Sequence, residues 1–113
     1  MNYWKLVVLG FALVSLQAVA AIVGETKGKV ITIRTSSHYH ESIPTDAETE
    51  TIFKLSNSYV DCEWVGIKNS EAAFVSTLLA SQAQSKEVSV WYYKDKYSPV
   101  WGNVCQAITI ELK

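Results

Sequence analysis

Histidine and cysteine each occur only twice in this 113-residue chain, and no basic excess offsets its slightly acidic balance, a net charge of −1. Each shortage excludes something. Phosphate recognition needs a concentrated basic face, so nucleic acid is not an expected partner. Two cysteines without a second close pair supply too few ligands for a structural zinc site. His38 and His40 also fall short of the three protein ligands that a catalytic zinc takes, unless Glu41 or Asp46 joins them. No metal and no cofactor is expected. A strand-turn-helix nucleophile elbow is missing as well: Ser36, Ser37, His38, His40 and Asp46 crowd one polar loop, whereas the members of a triad come from separate elements that fix their geometry. Paired carboxylates such as Asp61 with Glu63, or Glu48 with Glu50, read as solvated strand and loop faces without the apolar enclosure that tunes an acid or base. The chain is expected not to be an enzyme. It also lacks internal repeats and low-complexity tracts.

The long apolar run is confined to the N-terminus. Lys5 precedes the stretch Leu6 to Val14, and small residues follow, ending Ala18-Val19-Ala20-Ala21. That is the pattern of a secretory signal peptide over residues 1–20, cleaved between Ala20 and Ala21. An uncleaved anchor is the alternative, since the apolar character continues to Val23, but Ser15 and Gln17 interrupt it. No cysteine near the site offers a lipid attachment point. Cleavage would leave about 93 residues, 21–113, a single domain near the size where a hydrophobic core alone is marginal. The expected location is secreted or periplasmic, with no membrane span after cleavage. In that oxidising setting Cys62 and Cys105 are expected to form a disulfide, worth up to about 4 kcal/mol by loop entropy.

The mature sequence turns on one segment, Ser70 to Lys86. Phe74, Val75, Leu78, Leu79 and Ala83 recur at helical spacing, with Ser76, Thr77, Ala80, Ser81 and Gln84 opposite, which predicts an amphipathic helix. Asn69 or Ser70 is placed to cap its start, with Glu71 in the first turn and Lys86 in the last. Alternating apolar residues predict strands at Lys29 to Thr35, Ile52 to Leu55, Tyr59 to Val65, Glu87 to Lys94 and Val104 to Leu112. In the third, Val60, Cys62 and Trp64 share a face, so Cys62 points inward. Cys105 is out of phase with Ile108 and Ile110, which, with Cys62 inward and bonded to it, calls for a bulge or an irregular start between Cys105 and Ala107. Gly24 and Gly28 mark a terminal lead-in, and residues 36–51 a long polar loop. The order gives a mainly β fold with one α-helix: a small antiparallel OB-like barrel, its helix between the middle strand and the last two.

Aromatic side chains are what the chain has in excess. Trp91 and Tyr93 lie opposite Val88 and Val90, which leaves them exposed, covered by another subunit, or covered by the chain's own loops around Tyr97 and Trp101. Tryptophan and tyrosine offer a flat apolar surface with a polar edge, suited to stacking on sugar rings or anchoring a protein interface. The candidate binding surface is Trp91, Tyr93 and Trp101 with the loop residues Ser36, Ser37, His38, Tyr39 and His40. The helix face Ala73, Ser76, Thr77, Ala80 and Ser81 is small and uncharged, which fits either a contact between copies around a symmetry axis or a polar solvent face.

Phe74, Ser76-Thr77-Leu78, Ala83, Val88, Tyr92-Tyr93 and Trp101, with the paired cysteines outside them, resemble the B subunits of subtilase-cytotoxin and pertussis-like AB5 toxins and related small exported bacterial proteins. The resemblance covers about a third of the mature chain. It implies an OB-type barrel, a pentamer with helices toward the central pore, and sialoglycan binding. The glycan-contacting residues of those subunits have no residue-by-residue counterpart at Ser36, Ser37 or His38. The expected function is an exported, non-enzymatic binding or assembly module, a glycan-binding oligomer by that resemblance. The alternative is a monomeric protein-binding factor, such as an inhibitor of a periplasmic or secreted enzyme.

Overall fold

The computed structural model describes residues 22–36, 49–98 and 100–113. The leader 1–20 and the loop candidates Ser37, His38, Tyr39 and His40 lie outside the described residues. Five strands and a helix follow in order: β1 Val23–Thr35, β2 Glu50–Leu55, β3 Trp64–Lys68, α1 Ala72–Ala83, β4 Glu87–Tyr97 and β5 Val104–Leu112. The strands close into a barrel in the order β1-β2-β3-β5-β4. Every neighbouring pair is antiparallel except β3 with β5. This is the OB-like plan expected from the element order, with the helix bridging β3 and β4.

Strand alternation fills the barrel with Val30, Phe53, Leu55, Val65, Val88, Val90, Tyr92 and Cys105, joined by Tyr59 from a loop and Leu78 from α1. Tyr92 is the pivot of this core. Its hydroxyl accepts the Val60 N–H at 2.8 Å and shares a proton with Thr26 Oγ1 at 3.2 Å. Gly24 makes the fit possible, because a Cβ there would lie 2.7 Å from the Tyr92 ring. The Tyr59 hydroxyl donates to the Phe53 carbonyl at 3.1 Å, and burial pushes its ionisation well above the usual phenol range.

Several expected boundaries move, each for a physical reason. The segment read as a lead-in is the first half of β1: Val23 to Lys29 pairs with β4, and Val30 to Thr35 with β2. The change of partner occurs at a register shift between Val30 and Thr32, which turns Ile31 outward. Residues 59–63 are not strand. Asp61 adopts φ 63°, Val60 is exposed, and the strand begins only at Trp64, with Val65 inward and Trp64 outward. On β5 the expected irregularity between Cys105 and Ala107 is present, since Ala107 faces Tyr92 and Cys105 faces Tyr97, and a second register shift follows: Thr109 faces Trp91, so Ile108 is an extra residue and is 38% exposed.

The helix is shorter than its periodic stretch, and its inward face is rotated. Leu78 and Ser81 are the buried residues, while Leu79 is 52% exposed. Ser81, expected on the outer small-residue face, is fully buried, and its hydroxyl donates to the Leu78 carbonyl at 2.7 Å. Thr77 and Ala80 are half-buried, and Ala73 and Ser76 are exposed. Glu71 is the N-cap and makes no side-chain cap bond. Asn69 is committed elsewhere, bonding Thr49 and Thr51. The helix ends with Ser85 at φ 52° and the Lys86 N–H bonded back to the Ser81 carbonyl, so Lys86 lies beyond the last turn.

Candidate functional site

Sequence chemistry concentrates on two parts of the outer wall. The first is a cleft of about 330 Å³ where the β1 bulge meets the β2–β3 loop. Ser56 and Asn57 open that loop and are stitched to β1: Ser56 Oγ accepts the Lys29 N–H at 3.0 Å, and Asn57 Nδ2 donates to the Lys27 carbonyl at 2.6 Å. Its far end is tied by the Cys62–Cys105 disulfide, which anchors the loop to β5. Between these ties the cleft is lined by Lys54, Ser58, Tyr59, Glu63 and Ile31. Lys54 Nζ lies 3.8 Å from Glu63 Oε1, and Ile31 is 58% exposed at the rim. An ammonium, a carboxylate, hydroxyls, an amide and the aliphatic side chains of Ile31 and Leu55 thus converge on a single hollow. Such a set can bond a ligand rich in hydroxyl groups while covering one apolar side of it.

The second part is the face of β1, β2 and β3 next to the cleft. Residues Arg34, Ile52 and Gly66 lie side by side in the register, and Trp64 is outward on β3. The Trp64 ring holds the Arg34 guanidinium at 4.8 Å and the Lys54 ammonium at 4.5 Å. With both cations on the ring, the indole is buried and serves as a support for charge. Ile52, Trp64 and Val104 form a small outer core under Trp101. Gly66 is required there: a Cβ would come within 2.8 Å of Val104 Cγ1 and 3.0 Å of Glu50 Oε2.

Of the sequence-predicted residues, Trp101 and Ser36 both border this face. Trp101 packs on the outer core with its indole N–H buried and without a hydrogen-bond partner among the described residues, and Ser36 donates its backbone N–H to the Glu50 carbonyl at 3.3 Å. Trp91 and Tyr93 lie elsewhere on the wall. Both are half-buried on β4, with Trp91 between Glu25 and Thr109, and Tyr93 opposite Val23 under the Lys96 ammonium at 4.4 Å. Ser37, His38 and Tyr39 fall outside the described residues. Cys62 and Cys105 are disulfide-bonded, as expected.

Glu50 is a correction. It was expected on a solvated face, but it is 3% exposed on β2, and burial raises its carboxyl above the ordinary carboxylate range, opposed by a Ser98 hydrogen bond and the Lys68 charge. Lys54, Glu63, Trp64 and the Ser56–Ser58 turn were also not singled out as site residues. Alternation could have found Trp64: Val65 and Ile67 inward require Trp64, Gly66 and Lys68 outward.

Among the described residues no group of three or more His, Cys, Asp or Glu is placed to hold a metal, and no helix is long and apolar enough to cross a membrane. Comparisons with protein-family models, curated proteins and solved structures found no match to this chain. No comparison links the chain to the B subunits of AB5 toxins.

Proposed function

We propose that this chain is an exported, non-enzymatic binding module whose ligand is a glycan seated in the cleft between the β1 bulge and the β2–β3 loop. The lining of that cleft supports this most directly. Hydroxyls of Ser56 and Ser58, the Asn57 amide, Lys54 and Glu63 surround a hollow with the exposed Ile31 at its rim. The disulfide fixes the loop before any ligand arrives, which lowers the ordering cost of binding. A disulfide-linked fold is compatible with a secreted or periplasmic location. Assembly into a homo-oligomer, a pentamer by the toxin-subunit resemblance, belongs to the same proposal, and of the small helix face Ala73 and Ser76 are the residues left exposed for it.

One observation favours the alternative, a protein-binding factor. Val60, exposed in the cleft-forming loop, adds a second large apolar side chain to Ile31, more than a monosaccharide needs. Light scattering after size exclusion, followed by a glycan array on the same fraction, separates the two. A mass about five times that of one chain with glycan binding supports the first reading; a monomer that binds no glycan supports the second.

A further inference from the structure

The ring of Trp64 carries two cations, the Arg34 guanidinium at 4.8 Å from its centroid and the Lys54 ammonium at 4.5 Å. Register explains the meeting. Ile33 packs on the barrel core, so Thr32 and Arg34 point outward on β1, and Thr32 pairs with Lys54 on β2. Thr32 and Arg34 are exposed and Lys54 is half-buried, so all three can be reached from solvent. Their charge is poorly balanced. Arg34 has no carboxylate partner among the described residues, and Lys54 has only the loose 3.8 Å contact with the exposed Glu63. Two like charges on one indole repel, and an anion between them turns that repulsion into attraction. The buried indole behind them keeps water from one side, which strengthens the effect.

We propose that Thr32, Arg34 and Lys54 form a subsite for a sulfate ester carried by the glycan in the adjoining cleft. The donors select the group. An arginine fork spans two oxygens, and an ammonium and a hydroxyl can donate to a third, which suits the three free oxygens of a tetrahedral ester better than the two of a planar carboxylate. Charge makes the same choice. With Glu63 counted, the site holds one net positive charge, which a sulfate monoester neutralises and a phosphate monoester, close to dianionic at neutral pH, exceeds. Lys54 lines the cleft as well as standing on Trp64, so it joins the two regions. One such pair of cations on a slightly acidic chain takes a single group and makes no track for a polyanion. The attachment to a glycan rests on the cleft reading; the sulfate subsite does not.

Titrating methyl sulfate into the oxidised protein, against chloride at equal ionic strength, tests the subsite when the Thr32 amide and the Trp64 indole N–H are followed by NMR. Methyl sulfate should shift both signals saturably, and chloride should not. Arg34→Gln and Lys54→Gln should each weaken the binding at least about tenfold, while Lys96→Gln, which removes a similar cation from Tyr93 on β4, should bind as wild type. Equal responses to methyl sulfate and chloride would overturn the proposal. So would equal losses in Lys96→Gln and Arg34→Gln, because net charge alone would then explain the binding. Sulfated galactose tests the attachment: it should bind wild type at least about tenfold more tightly than methyl sulfate does, and Ser58→Tyr no more tightly. No gain in wild type would overturn the glycan attachment and the cleft reading, while the methyl sulfate result still decides the subsite.

Discussion

At the residue scale the deciding feature is a carboxylate in a place that carboxylates avoid. Glu50 is almost fully buried, and its folded form holds the proton more tightly than the unfolded chain does. The stability this group contributes is fully present below its unfolded value near 4.5 and is lost as pH rises through the raised folded value. Glu50→Gln should accordingly exceed wild type in urea midpoint most at pH 7, and the two should converge toward pH 4. A constant difference across that range would show that Glu50 titrates alike in the folded and unfolded chain. Glu50 could not be recognised from sequence, because it follows an acidic, polar stretch and its neighbours include Gly66 and Lys68 on β3 and Gln106 on β5, far along the chain. Gly66 is the local trace of that enclosure, a strand position where only a hydrogen fits between Val104 and Glu50.

At the element scale, α1 shows how far periodicity reaches. Its existence, its place after the third strand and the inward positions of Phe74 and Leu78 were legible, but the edges of the buried face were not: Leu79 turns out and Ser81 turns in. Apolar or small residues occupy every side, including Ala73, Val75, Leu79 and Ala80, so the pattern alone discriminates weakly between faces. Packing settles the matter in favour of Leu78 and Ser81. Leu78→Ala should destabilise by about 2–5 kcal/mol, the range for emptying a filled core site. Leu79→Ala should stay within about 0.5 kcal/mol. Urea unfolding of both variants checks the assignment, and similar losses in the two would restore the face read from sequence, which holds both leucines. The strands tell a similar story. β4 and β5 were visible from β-branched and aromatic content, and so was the irregularity between Cys105 and Ala107, whereas the extension of β1, the outward Ile31 and the second register shift at Ile108 depend on partners that alternation cannot reveal. The β2–β3 loop was mistaken for strand because Val60, Cys62 and Trp64 alternate by coincidence. Cys62 is fixed by its bond, and Asp61 by a left-handed turn.

At the scale of the whole molecule, barrel closure and the disulfide act together. β3 meets β5 over only Trp64 to Gly66, and the Cys62–Cys105 bond lies immediately beside that short parallel seam. Replacing both cysteines by serine should cost about 2–4 kcal/mol, as for a bridge spanning 43 positions, measured by urea unfolding against the oxidised protein. A smaller loss would mean that the seam holds without its staple. The plan of the barrel was readable from element order and cysteine count, while the cleft was not, because its walls come from a bulge and a loop that only the closed barrel brings together. We propose that ligand binding belongs to this cleft. It is tested most directly by calorimetric titration of a glycan selected on the array into wild type, Ser58→Tyr and Trp91→Ala. Filling the cleft with Ser58→Tyr should weaken binding at least about tenfold, a loss of about 1.4 kcal/mol, while Trp91→Ala binds as wild type. Binding that survives Ser58→Tyr and is lost in Trp91→Ala would contradict the account and move the ligand to the aromatic face of β4.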